Sequence, residues 1–402
     1  MVDMEEGVIR KINRDLFGND DPKNYHEITD CYGSGNNWAY GYYYYGLKHY
    51  CKIEEIIRKT AEPCNNLDSF FLINSLGGGT GSGVGTFILR EILRDDYPTV
   101  QRICFPIISF GSNDDVITSP YNTLFSLAKL NMDSDCVIPF ENEAISTILC
   151  NSNKNSPAKE ARMSFSGIND YISQFLLNFT CYTRFHGSMN IDLGEFVTNL
   201  IPYPRMNILV SAQSPVFNSS KMKANPSLRE NLRKSFIMKN QSISNVDIRQ
   251  NDQISTAVCI RGRELPISEL TSSIETMKSL VKCPYWNKDA WKIGHCHAPA
   301  VNSKENGELV FHDNQVLCLS NTTGIINPLR QVKRRFDLLY RKKAHLHHYL
   351  DVDGFDDTVI NESLEILAST VKDYQSIQKM ADEDVNEDFY QIYSKFSSKI
   401  LN

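Results

Sequence analysis

Seven consecutive small residues, Gly77-Gly78-Gly79-Thr80-Gly81-Ser82-Gly83, have the composition of a loop that cradles phosphate. Glycine lets a backbone approach phosphate oxygens and turn its N–H groups toward them, and the hydroxyls of Thr80 and Ser82 can add donors. The setting sharpens this reading. An apolar run at 69–76 ends where the loop begins, and a helical pattern starts near Val84, so the loop lies at a strand's C-terminal end and a helix's positive end. A flexible linker would have polar flanks, and these flanks are apolar. No register satisfies G-x-G-x-x-G, which argues against a dinucleotide site and an NAD-dependent oxidoreductase. No Lys-Ser/Thr follows the glycines, so the loop is not a P-loop. Phosphate charge must then be balanced by backbone donors, the helix dipole and a metal ion.

Other candidate chemistry is weaker. His345, His347 and His348 form a cluster in which His345 and His348 share a face of the expected helix. No third metal ligand can be named and the flanks are basic, so a packed or solvated face is the better account. The 11 cysteines are scattered and form no C-x-x-C pair, which removes a zinc ribbon or a dithiol site and leaves reduced, mostly buried thiols. A net charge of −6 gives no reason to expect nucleic-acid binding. No stretch approaches the roughly 18 apolar residues of a membrane span. The acidic start MVDMEEGVIRK lacks a signal core, so the chain reads as cytosolic.

The elements that must hold the glycine loop follow from periodicity. Runs at 69–76, 103–110 and 136–140 read as strands buried on both faces, with helical patterns at 42–61 and 86–94. Strand–helix–strand alternation predicts a mostly parallel sheet flanked by helices, an α/β architecture. Residues 168–185 are apolar on most sides, as in a helix buried between layers. Strand-like runs at 207–212, 256–261 and 315–320 predict a second, mixed α/β domain. Two amphipathic helices at 330–350 and 358–379 follow, joined by the acidic link 351–357. The expected boundaries are 1–163 for the nucleotide-binding domain, 164–185 for a core helix, 186–326 for an intermediate domain, and 327–402 for a C-terminal helical hairpin and tail.

In this setting GGGTGSG resembles the tubulin signature, and the similarity runs from Val2 to about Lys379. Segments VDMEEGV at 2–8, GSGNNWA at 33–39, DDVITSPYN at 114–122 and KKAHLHHYL at 342–350 look like the epsilon-tubulin branch in particular. The resemblance implies a tubulin/FtsZ-like fold that binds GTP or GDP with Mg2+. It implies a place in the cytoplasmic cytoskeleton, at the centriole, basal body or microtubule-organising centre rather than in the microtubule wall. Other tubulin-family subunits and centriolar or basal-body proteins are the implied partners.

The resemblance carries over position by position. Asp3 and Glu5 match an acidic pair near the nucleotide's magnesium, and hard carboxylates suit that ion. Gly33-Ser34-Gly35-Asn36-Asn37 matches the loop that closes on the terminal phosphate. Asp115 matches a ribose-contacting position of beta-type tubulins, whereas Ser119 stands where alpha and beta tubulins usually carry a glutamate that reaches the ribose. Asn142 and Asn169 match the two amides that read guanine, and an amide is apt because guanine offers donors and acceptors. Phe165 replaces the tyrosine that stacks on the base, keeping the ring and losing the hydroxyl. Asp192 and Glu195 match the acidic pair that faces the neighbouring subunit's nucleotide and polarises a water for attack on its γ-phosphate. Their spacing is also a helix-start signal.

Tubulins begin with a strand and a second phosphate loop ahead of the position matched by Asp3, and neither is in this sequence. The reading therefore expects an incomplete gene model or fragment, with unpaired strand edges, weak nucleotide binding and poor independent stability for a chain that starts at Met1. The sequence ends SKFSSKILN rather than in a glutamate-rich tail. The leading expectation is a GTP-binding cytoskeletal subunit, a GTPase only on assembly, with hydrolysis completed in trans. The alternatives are a structural GTP-binding protein that does not hydrolyse, or a non-functional truncated product.

Overall fold

The computed structural model describes residues 1–17, 25–108, 116–152, 165–185, 187, 189–216, 226–262, 266–287, 289–305, 308–312 and 314–382. Two compact units divide the chain: residues 1–137 with 330–368, and residues 138–329 with those from 369 onward. These units do not coincide with the four segments expected from sequence. Part of the expected C-terminal hairpin belongs to the first unit because aromatic packing overrides chain order. Phe336 meets the ring of Tyr121 edge-on at 5.3 Å, and Tyr349 lies 5.9 Å from Phe125.

The first unit is built on three parallel strands in the order β1 (Ser69–Ser75), β2 (Gln101–Ile108), β3 (Cys136–Val137). Helical turns from Thr80 to Arg94 carry the chain from β1 to β2, and α1 (Ser119–Asp133) leads to β3. Parallel neighbours require such crossovers. β2 has the buried run 103–106 expected of it, but β1 does not match expectation. Phe71 and Ile73 are 37% and 51% exposed, because β1 is the end strand of this sheet and that side is uncovered. The helix before β1 begins four residues earlier than its apolar pattern suggested. Trp38 is fully buried, stacks on Tyr42 at 4.9 Å, and starts a π-wound segment (Tyr40–Gly46) that runs into α-helix (Leu47–Ala61).

The helix expected across 330–350 is broken. It spans Ile326–Tyr340, and only His347–Leu350 resumes helical geometry. Between them Lys343 and His345 adopt left-handed backbone, φ 50° and 58°. His345 and His348 therefore share no helix face, and their rings stand 6.1 Å apart. Among the described residues no group of three potential ligands could hold a metal.

In the second unit, the helix Phe165–Phe179 buries Tyr171, Phe175 and Phe179, but Leu177 is 40% exposed, so one side is open. A mixed sheet follows with strands ordered Val210–Ser214, Asn314–Thr322, Gln253–Gly262, Trp291–Cys296; the first three pair antiparallel and the last pair parallel. Trp291–Cys296 escaped the sequence reading because Lys, Gly and His interrupt its apolar pattern. The hairpin Ala300–Glu305 with Glu308–His312 escaped it as well. No described helix is long and apolar enough to cross a membrane.

Candidate functional site

The glycine loop leaves β1 through the buried Leu76, as its sequence setting implied. Helical turns begin at Thr80, four residues before the expected start, so the loop's second half is already the first turn of a helix. The glycines divide into two groups. A Cβ on Gly83 would stand 2.8 Å from Gly41 Cα and Tyr42 N, and one on Gly79 would lie 2.6 Å from Asn37 N. These positions are glycine because two backbones touch there. A Cβ on Gly78 would meet nothing nearer than Asn36 Oδ1 at 3.7 Å, and one on Gly77 nothing nearer than Ser119 Oγ at 3.4 Å. Neither has a left-handed φ. Neither packing nor backbone strain therefore requires glycine at Gly77 and Gly78.

The side chains around the loop are set by a few polar contacts. Ser82 is buried and its hydroxyl donates to the Gly78 carbonyl, so it shapes the loop from inside. Thr80 Oγ1 is 3.1 Å from Ser34 Oγ, which joins the glycine loop to the 33–37 turn. That turn uses left-handed Gly35 (φ 60°) and Asn36 (φ 52°), both exposed, and Asn37 Oδ1 caps the next helix by accepting from Ala39 N at 2.9 Å. Ser119 Oγ is buried against Gly77 with no partner among the described residues. The short Ser119 side chain thus leaves a spare donor beside Gly77.

Asn122 was missed as a functional residue. Its buried amide uses its full capacity, donating from Nδ2 to Asn36 O and Gly77 O (both 2.8 Å) and accepting at Oδ1 from Trp38 N (2.9 Å) and Tyr349 Oη (2.6 Å). It fixes the distance between the 33–37 turn and the glycine loop. Burial pushes the Tyr349 phenol well above its ordinary pKa, so the hydroxyl keeps its proton and remains a donor. The only sequence signal was its place in DDVITSPYN, which marked a resemblance and no role.

Asp3 is half-buried and its Oδ1 accepts from Glu5 N at 3.2 Å. The Glu5 carboxylate lies against Gly33, where a Cβ would come within 2.7 Å of Oε1. The pair is thus beside the 33–37 turn. Two carboxylates next to a phosphate loop fit Mg2+, which takes one or two protein carboxylates with phosphate oxygens and water. Asp30, just upstream of the turn, is held at a pKa of about 2 by Lys48 Nζ and then by the Cys31 N–H. Asp115 lies outside the described residues.

The remaining candidates belong to the second unit. Asn142 opens the helix Asn142–Ser152 and is half-buried. Phe165 and Asn169 lie one turn apart at the start of Phe165–Phe179, the ring 71% exposed and the amide exposed, so both are available to a ligand. Asp192 and Glu195 form a capping box on Leu193–Leu200, with Asp192 N donating to Glu195 Oε2 at 3.4 Å. Lys292 Nζ stands 3.1 Å from the same oxygen, and its hydrogen bond holds the exposed Glu195 carboxyl below the usual range.

Residues 1–150 match the family model described as Tubulin/FtsZ family, GTPase domain, and residues 204–334 match Tubulin C-terminal domain. The tubulin epsilon chains of Mus musculus and Homo sapiens are each 35% identical to this chain, over 94% of it and 81% of their own length. The tubulin alpha-1 chain of Saccharomyces cerevisiae is 33% identical, over 93% of this chain and 82% of that protein.

Proposed function

We propose that this chain, which belongs to the tubulin family, holds the phosphates of GTP or GDP on the 77–83 loop and works as a cytoskeletal subunit. The carrying observation is that a Cβ at Gly77 or Gly78 would make only ordinary side-chain contacts, at 3.4 Å or more, next to a strand end, a helix start and the unpartnered Ser119 hydroxyl. Backbone N–H groups there would meet phosphate oxygens while the 33–37 turn closes on the terminal phosphate. Asn142, Phe165 and Asn169 would read and stack the guanine. Asp3 and Glu5 would hold Mg2+, which when bound neutralises phosphate charge. The epsilon-like segments support a centriole or basal-body setting, with other tubulin-family subunits as partners.

Gly78→Ala tests the site. The added methyl has room in the free protein, so the unfolding midpoint should hold while affinity for labelled GTP falls roughly tenfold or more, the equivalent of one lost phosphate contact. Unchanged affinity would remove the loop from the site.

Hydrolysis is the finer part of the proposal. Glu195 and Asp192 would act on a neighbouring subunit's nucleotide, so GTP turnover should rise with protein concentration and drop in Glu195→Ala. A second reading, a subunit that binds GTP without hydrolysing it, is favoured by one observation: both carboxylates are engaged within their own chain, in the capping box and by Lys292. Absence of turnover at every protein concentration would select it, and turnover independent of concentration and of Glu195 would count against trans catalysis.

A further inference from the structure

The stretch 330–348 is strongly basic. Residues 330–348 hold seven Lys/Arg and a single Asp, in a chain whose 48 acidic residues outnumber its 42 basic ones. One face of the helix Ile326–Tyr340 is buried through Leu329, Val332 and Phe336, at the spacing of a core-facing stripe. Arg330, Arg334, Leu338 and Arg341 follow at i, i+4, i+8 and i+11 on another face, and all four are exposed. Arg341 stays on the helical path, since its N–H donates to Asp337 O at 3.1 Å. Exposed Lys342 and Lys343 extend the charge beyond it. None of these five cations forms an ion pair among the described residues.

Two further features make this more than a solvated helix face. Leu338, in the middle of the arginine stripe, is 60% exposed. The turn after the helix is fixed rather than frayed. Lys343 takes the left-handed position usually given to glycine, and Ala344 N closes the motif by donating to Leu339 O at 3.2 Å. Behind the turn, Ala344 O accepts from Tyr121 Oη at 2.9 Å and His348 O accepts from Asn37 Nδ2 at 2.7 Å. A surface already ordered loses little entropy when a partner binds.

We infer that the face formed by Arg330, Arg334, Leu338, Arg341, Lys342 and Lys343 docks an acidic polypeptide segment of a partner protein, with an apolar side chain of that segment on Leu338. The stripe from 330 to 341 is about 17 Å long at the helical rise. An extended peptide covers that in about five or six residues, which sets the size of the recognised motif. The exposed leucine discriminates between polyanions. A phosphodiester backbone offers it nothing, whereas a glutamate-rich peptide with one leucine buries it. The acidic balance of the rest of the chain also disfavours a long nucleic acid, whose charge would extend past the stripe.

The test is fluorescence anisotropy on the full chain with three labelled probes: a short glutamate peptide with a central leucine, the same peptide with glutamines for glutamates, and a short single-stranded DNA. The glutamate peptide should bind with affinity that falls as salt rises, and the glutamine peptide should not bind. Arg330→Glu/Arg334→Glu/Arg341→Glu should weaken the glutamate peptide at least roughly tenfold, a loss expected for several paired charges. Leu338→Asn should weaken it roughly three- to tenfold by removing apolar burial. Where charge reversal lowers the melting temperature, Arg341→Gln/Lys342→Gln keeps the fold and should still weaken binding about threefold. Peptide affinity unchanged in these variants overturns the assignment. So does DNA binding as tight as the peptide's and indifferent to Leu338→Asn, which would make the face a site for nucleic acid instead.

Discussion

Asn122→Ala is the sharpest test of how the 33–37 turn and the glycine loop are held. The substitution takes a partner from four groups: Gly77 O, Trp38 N, Asn36 O, which keeps Thr118 Oγ1 at 2.9 Å, and Tyr349 Oη, which keeps only the long 3.5 Å contact with Thr118 O. They do not lose equally. Asn36 is exposed and Gly77 half-exposed, so their carbonyls can turn to water at little net loss. Trp38 and Tyr349 are fully buried, and an unpartnered buried donor costs about 1–3 kcal/mol. The orphaned Trp38 N–H and the weakened Tyr349 hydroxyl together give an expected destabilisation of about 2 kcal/mol, an equilibrium factor of roughly thirty. Tyr349→Phe removes one bond and leaves the other three, so about 1 kcal/mol is expected. Urea denaturation of the full chain measures both, and a labelled-GTP titration reports whether loop spacing matters for binding. Affinity should fall more in Asn122→Ala than in Tyr349→Phe. If Asn122→Ala unfolds within about 0.5 kcal/mol of the parent chain, or if both variants lose the same amount, the amide is not the tie argued for it.

Three further outcomes are expected. Gly83→Ala should destabilise by about 1–3 kcal/mol in thermal or urea unfolding, because the new methyl meets backbone of the 38–46 helix that has no side chain to rotate away; an unchanged midpoint refutes the close approach. Phe165→Ala should leave stability within about 0.5 kcal/mol, since the ring is 71% exposed, yet weaken GTP binding roughly three- to tenfold as a stacking partner is lost. Equal GTP affinity would take the ring out of the site. Asp30 is held at about 2 in the folded chain, so its ion pair with Lys48 contributes fully above the usual carboxylate value and is lost as pH falls from about 4 through 2. Asp30→Asn should therefore flatten the stability profile over that interval.

The strand, glycine run and following helix were legible because a polar, glycine-rich stretch between two apolar runs has few structural meanings. Which glycines serve packing was not legible. The neighbours of Gly83 are Gly41 and Tyr42, some forty positions away, and no local pattern announces a backbone contact. The same limit hid Asn122, whose four partners come from three separate stretches of chain. Periodicity misled at 341–346, where helix-compatible residues end a helix in left-handed backbone at Lys343 and His345. Tertiary contacts from Tyr121 and Asn37 to that turn outweigh local propensity. β1 misled in the other direction. An apolar run read as buried on both faces carries exposed Phe71 and Ile73, because burial depends on what covers a strand and not on its own residues.

The Asp192–Glu195 pair shows how local structure narrows a chemical role. A carboxylate facing a phosphate-attacking water can orient it, take its proton, or do both. Lys292 and then the Asp192 N–H hold Glu195 below the ordinary carboxylate range. That makes it a weaker proton acceptor and a well-fixed hydrogen-bond acceptor. The lowered value also keeps it anionic near neutral pH. Acting in trans as proposed, the group would therefore orient the water, and GTP turnover in assemblies should be flat between about pH 6 and 8 with respect to it. Glu195→Gln, which retains an acceptor oxygen, should lose less turnover than Glu195→Ala, which retains none. A rising limb near neutral pH that vanishes in Glu195→Gln would mean that the carboxyl titrates there as a base. That result would require the neighbouring subunit to displace Lys292 and raise the pKa on assembly, and the orientation argument would fail.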